Sequence, residues 1–152
     1  MLINLALGIG VMLLCLLFQC YLMMVALRFY IRHHDWLKKP RMGSRVLLLM
    51  IVMVLLVVGN LVQIGAWGWL FYGLGEFADY ATAFYHSGVN FATLGYGDMV
   101  MTESWRLLGP LESLNGIIMM GVSTSALLWT FQDTIKVMLE EKGKQRKACG
   151  IE

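Results

Sequence analysis

The chain has 152 residues, of which 59% are hydrophobic and 14% charged, and its mean hydropathy is +0.67. A soluble domain carries about 45–50% apolar and about 25% charged residues, so the composition excludes a soluble enzyme. A net charge of +2 on so apolar a chain is likewise no signature of a nucleic-acid binder. Three runs, Leu2–Leu27, Val46–Gly75 and Ser113–Gln132, contain no Asp, Glu, Lys, Arg or His. About 20 apolar helical residues cross a bilayer core about 30 Å thick, and each run is long enough.

Residues 1–27 are expected to form the first transmembrane helix. No basic residue precedes Arg28, and the stretch around Phe18–Tyr21 lacks a small-residue cleavage pattern, so it reads as a retained helix rather than a signal peptide. Cys15 and Cys20 lie five residues apart on different helical faces, and Cys149 is in the polar tail. Three such cysteines make no disulfide framework, and the first two read as buried apolar side chains. Residues 28–45 form a loop with Arg28, Arg32, Lys38, Lys39, Arg41 and Arg45 against Asp35 alone. Six bases beside a bilayer suit contact with anionic lipid, or they serve as a topology signal only. His33 and His34 are adjacent and make no helical metal pair.

The second helix is placed at 46–73. Beyond it the charge balance reverses: Glu76–Glu112 holds five acids and only Arg106 as a base. Eleven bases lie in the loop and in the tail, residues 136–152, against this one. Basic residues accumulate in short cytoplasmic loops, so loop and tail are placed inside, the N-terminus outside and the C-terminus in the cytoplasm. The protein is expected in the cell membrane. Trp67, Trp69, Phe71, Tyr72 and Trp105 mark the outer interface, and Trp36, Trp129 and Phe131 the inner one.

The segment between these spans is too polar and interrupted to cross. Asp79 is a candidate N-cap for a helix over 80–91, and Thr93-Leu94-Gly95-Tyr96-Gly97-Asp98 comes directly after it. Non-helical backbone at membrane depth is tolerated only where it is buried in protein or lines a watery cavity. Glycine accepts left-handed φ values, and a backbone of alternating handedness turns successive carbonyls to one side. Four such strands around an axis would build rings of oxygen able to replace the hydration shell of a cation. The inner helix is placed at 105–135.

The motif resembles the signature of the potassium-channel family, and the likeness covers outer helix, pore helix, filter and inner helix, with residues 46–135 as the pore domain and 93–98 as the filter. With the three spans read above, the fold expected is an all-α membrane protein with three transmembrane helices, to which the resemblance adds a re-entrant pore helix and assembly with three identical subunits into a homotetramer. No cofactor is implied, only K+ as permeant ion, bound by the carbonyls of Thr93, Leu94, Gly95 and Tyr96 and by the Thr93 hydroxyl, with Gly97 completing the strand. Tyr96 is implied to point away from the pore, Leu94 to pack behind the filter and Asp98 to sit at the outer mouth. Where many members carry two buttressing tryptophans this chain has Tyr85 and His86, expected to donate toward Asp98 and Tyr96. Where some carry a buried glutamate it has Val89. A titrating His86 would respond to external acid; a neutral histidine packed behind the filter is the other reading.

On the inner helix the resemblance puts Gly116 and Gly121 at a hinge, although packing against the pore helix explains a glycine as well. Ile117, Met120, Thr124, Leu128 and Phe131 would line the cavity and gate, or else form a packing face. The first helix lies outside the resemblance and has no basic residue, so it is no voltage sensor. The reading is a potassium-selective channel; the alternatives are a less selective monovalent cation channel and a non-conducting membrane subunit.

Overall fold

A computed structural model describes residues 2–33 and 42–148. The expectations placed on His34, Asp35, Trp36, Lys38, Lys39, Arg41 and Cys149, and on the side chains of Arg146 and Lys147, lie outside the described residues. The described residues are all-helical, with four helices and no strand: α1 (Leu2–Arg32), α2 (Met42–Gly73), α3 (Tyr80–Phe91) and α4 (Leu108–Ala148). α1, α2 and α4 are long and apolar enough to cross a membrane. α3, with 12 residues, reaches about 18 Å and cannot.

Helix boundaries differ from the sequence reading in α1, in α2, which starts at Met42, and at both ends of α4. α4 starts at Leu108, not at 105, because Pro110 has no N–H and its ring would strike the carbonyl of residue 106 in a continuous helix. The first helical turn is the one place that tolerates it, and Trp105–Leu107 form turns held by the Thr102 carbonyl. α4 also runs past 135 through Ala148, since Lys, Glu, Gln and Arg are strong helix formers and Glu141 and Lys144 pair one turn apart at 3.8 Å. α1 likewise extends past 27, ending on Arg32, whose charge suits a helix C-terminus.

The described residues fall into two compact units, one within Met1–Tyr21 and Val57–Val122, the other within Leu22–Leu56 and Ser123–Glu152. The first has a core of Cys15, Trp67, Phe71, Ala83 and Leu108. Lipid offers no hydrophobic drive for helix association, so helices join through close backbone approach and polar contacts. Both occur here. A Cβ built on Gly68 would lie 3.1 Å from the Phe84 Cα, and Gln63 Nε2 donates to Gln19 Oε1 at 2.8 Å. The second unit packs Leu48, Val52 and Leu56 of α2 with Tyr30 of α1, and Ala126, Leu127 and Val137 of α4 border them.

Candidate functional site

The site is built from α3 outward. Asp79 caps its N-terminus, accepting from Thr82 N at 2.8 Å and from Thr82 Oγ1 at 2.7 Å. Those donors hold its carboxyl below the ordinary range. At the C-terminus Leu94 N donates to Val89 O and Thr93 N to Asn90 O, both at 2.9 Å. This pair is a Schellman motif with the left-handed residue at Thr93, where φ is 57°. α2 ends in the same motif, with Glu76 N on Phe71 O, Gly75 N on Tyr72 O and Gly75 at φ 75°. Glycine makes the second cap without strain. At Thr93 a β-branched residue takes a conformation that costs on the order of 1–3 kcal/mol and gathers at functional sites.

Thr93 opens a stretch in which every second residue is left-handed, with Gly95 at φ 59° and Gly97 at φ 69°. Residues 92–100 are exposed throughout. Leu94 and Tyr96 are 54% and 64% exposed within the single chain. A single chain puts no second layer behind these side chains. The loop after the motif is tied to the end of α2 by Thr102, whose N and Oγ1 donate to the two Glu76 carboxylate oxygens at 2.7 Å each.

The two expected buttress residues part company. Tyr85 Oη donates to Asp98 Oδ2 at 2.9 Å, and this acceptor pushes the phenol upward. His86 is not brought to Tyr96. Adjacent helical residues point about 100° apart, so with Tyr85 toward Asp98 the His86 ring turns inward. It lies 4.8 Å from the Phe77 ring and 5.7 Å from Phe71, with Nε2 at 2.9 Å from Asn90 Nδ2. Burial pushes its imidazole downward, against a weaker upward pull from Asp98 and Glu76.

On α4, Gly116 is a packing glycine: a Cβ there would lie 2.0 Å from the Phe91 carbonyl oxygen. A Cβ on Gly121 would meet nothing within 4 Å. Ile117, Thr124, Leu128 and Phe131 are exposed in the single chain and Met120 is half-buried.

One functional candidate escaped the sequence reading. Glu112, counted there among the external acids, is 0% exposed and contacts Ser87 Oγ through Oε1. Its signal was periodic: Leu108, Glu112, Asn115 and Met119 recur at helical spacing, and all four are fully buried.

The ion channel family model matches residues 59–133, about half of the chain. Through that segment the chain belongs to the ion channel family. No curated protein and no solved structure matches it. The match takes in the second half of α2, all of α3, the left-handed stretch and α4 as far as Asp133. The channel segment therefore holds the capped pore helix, the left-handed strand and the buried acid together, and it leaves α1 unaccounted for.

Proposed function

We propose that the chain assembles as a homotetramer conducting potassium ions passively and selectively across the cell membrane. The observation that carries this reading is the alternation of left-handed residues at Thr93, Gly95 and Gly97 directly after a short capped helix. Alternating handedness is what lets consecutive carbonyls face one axis, and carbonyl rings are the physical means by which a filter replaces a cation's water shell. The carbonyls of Thr93, Leu94, Gly95 and Tyr96 supply those rings, Gly97 completes the strand, and Asp98 held by Tyr85 stands at the outer mouth.

One chain offers one strand, so four are needed, and the exposed Leu94 and Tyr96 are then covered by neighbouring subunits. The C-terminal end of α3 carries a partial negative charge favourable to a cation below the filter. Ile117, Met120 and Thr124 line the cavity, and Leu128 with Phe131 close it by dewetting. Residues 1–27 belong to an additional helix; 28–45, which take in the end of α1 and the start of α2, face the cytoplasm in contact with anionic lipid; 46–135 serve as the pore domain and 136–152 as the cytoplasmic tail, with the N-terminus outside.

The test is the reversal potential of the purified protein in planar bilayers with potassium on one side and sodium on the other. A value near the potassium equilibrium potential is expected. Clear current reversing near zero would instead establish the less selective channel. Silence, persisting in Leu128→Ala and Phe131→Ala variants, would establish a non-conducting subunit.

A further inference from the structure

Outside the filter, the strongest unexplained chemistry is a buried polar cluster shared by four helices. Glu112 of α4 meets Ser87 of α3, and Ser87 Oγ also lies 2.7 Å from the Ile64 carbonyl of α2. Asn115 is fully buried one turn further along α4, and the Cys15 thiol of α1 lies beside it and beside Trp67 of α2. Glu112 Oε2, both polar atoms of the Asn115 side chain and Trp67 Nε1 have no hydrogen-bond partner. An acid inside a membrane span is costly and marks function by default.

Counting protons defines the form this acid takes. The groups facing Glu112 are Ser87 and Asn90 from α3 and Cys15 from α1, whose thiol also meets Asn115 and Trp67. No Lys or Arg pairs with it among the described residues. A carboxylate would leave Oε2 charged, dry and without a donor, which is the most expensive arrangement available. A carboxylic acid removes the charge and leaves Oε2 a neutral carbonyl oxygen. Its hydroxyl donates to Ser87 Oγ, and Ser87 spends its single hydrogen on the Ile64 carbonyl.

The same face of α4 grips the pore helix twice more. Ser113 Oγ donates to the Asn90 carbonyl at 2.9 Å, and Gly116 seats the Phe91 carbonyl. Those contacts run along the last two turns of α3, ending two residues before Thr93. Of the three, only Glu112–Ser87 joins two side chains, so it can be removed from either helix.

We propose that Glu112 is a positioning residue of the ion pathway, a neutral carboxylic acid that fastens α4 to Ser87 and thereby fixes where the pore helix delivers the filter. The proposal rests on the channel reading for its functional consequence but has a structural consequence of its own. Infrared spectroscopy of the full-length protein at neutral pH should show a protonated-carboxyl stretch that shifts in D2O and is missing from Glu112→Gln. Its absence from the wild type overturns the proposal.

Amide exchange over residues 88–94 should be native-like in Glu112→Gln, which keeps a donor and an acceptor, and about tenfold faster in Glu112→Leu and in Ser87→Ala. In bilayers the potassium-to-sodium permeability ratio should follow the same order, dropping about tenfold in Ser87→Ala, as the loss of a supporting partner typically does. Ser87→Ala serves where Glu112→Leu fails to fold. Unchanged exchange in both overturns the positioning role. If the wild type shows the band and the exchange pattern while neither it nor the Leu128→Ala and Phe131→Ala variants pass ions, the fastening of α4 to Ser87 stands and the channel reading is removed instead.

Discussion

The two compact units hold their helices together by different means. In the unit that carries the filter, α4 meets the pore helix through a carboxyl, a hydroxyl and a backbone carbonyl seated on a glycine. In the other, Leu48, Val52 and Leu56 form an apolar seam, and polar contact converges on the Tyr30 hydroxyl. That hydroxyl lies 3.0 Å from Asp133 Oδ2, 3.1 Å from Thr134 Oγ1 and 3.2 Å from the Thr130 carbonyl. Polar contacts and glycine seats tolerate one arrangement, whereas an aliphatic seam keeps much of its energy when it slides. The filter unit is built for one geometry. In the Tyr30 unit the polar contacts gather on one hydroxyl beside an apolar seam.

The largest expected effect tests the first half of that contrast. Gly116→Ala drives a methyl to 2.0 Å from the Phe91 carbonyl oxygen, a backbone atom that cannot step aside. Overpacking of this kind costs about 3 kcal/mol or more, and the yield and thermal stability of the folded protein in detergent should collapse. Gly121→Ala meets open space and exchanges a poor helix former for the best one, so stability should hold or rise by up to about 1 kcal/mol. Equal effects at the two glycines would mean that α4 is not seated on α3 through Gly116.

That contrast marks where sequence was legible and where it was not. Length and hydrophobicity suffice for three spans. Asp79 and the length of the segment after it suffice for α3, and alternate glycines suffice for left-handed backbone at Gly95 and Gly97. The left-handed Thr93 was not legible, because a threonine at a helix C′ position contradicts its own propensity and is dictated by the strand it opens. The separation of Gly116 from Gly121 depends on which neighbour each faces, which no spacing rule contains. Glu112 was misplaced for a related reason: a lone acid near a span boundary reads as external until its partners Ser87 and Ile64 are known. His86 turned inward because Tyr85, one position earlier, claimed Asp98.

Tyr30→Phe sharpens the second half of the comparison. It removes the hydroxyl while keeping the ring that packs edge-on against Trp129 at 5.7 Å. Losing a buried hydroxyl from a polar cluster costs about 1–3 kcal/mol, read as a lowered unfolding temperature. Open probability should change, and the permeability ratio should not. A change in selectivity as large as that from Ser87→Ala would erase the distinction between the units.

A smaller effect is expected at Tyr85. Its hydroxyl holds Asp98 at an exposed site, where solvent competes, so Tyr85→Phe should leave the unfolding temperature close to that of the wild type. Its consequence should be kinetic instead, a faster decline of current during sustained conduction as the outer mouth loses its tether. Wild-type kinetics in the variant would show that the Tyr85–Asp98 bond contributes nothing to the filter.

The smallest effect concerns protons. Asn90 Nδ2 can donate to His86 Nε2 only while that nitrogen is bare, and burial between Phe71 and Phe77 disfavours the charged ring. The folded chain thus refuses a proton that the unfolded chain accepts at an ordinary imidazole value of about 6.5. Stability is therefore complete above that value and is lost as pH falls through it toward the depressed folded value. Unfolding temperature should be flat from about pH 8 to about pH 6.5, decline below it in the wild type, and decline less in His86→Gln. Current should likewise be flat across the upper interval. A step in wild-type current between those two values that His86→Gln removes would mean that the ring is charged near neutrality. His86 would then act as an external proton sensor instead of a packed, neutral support for the pore helix.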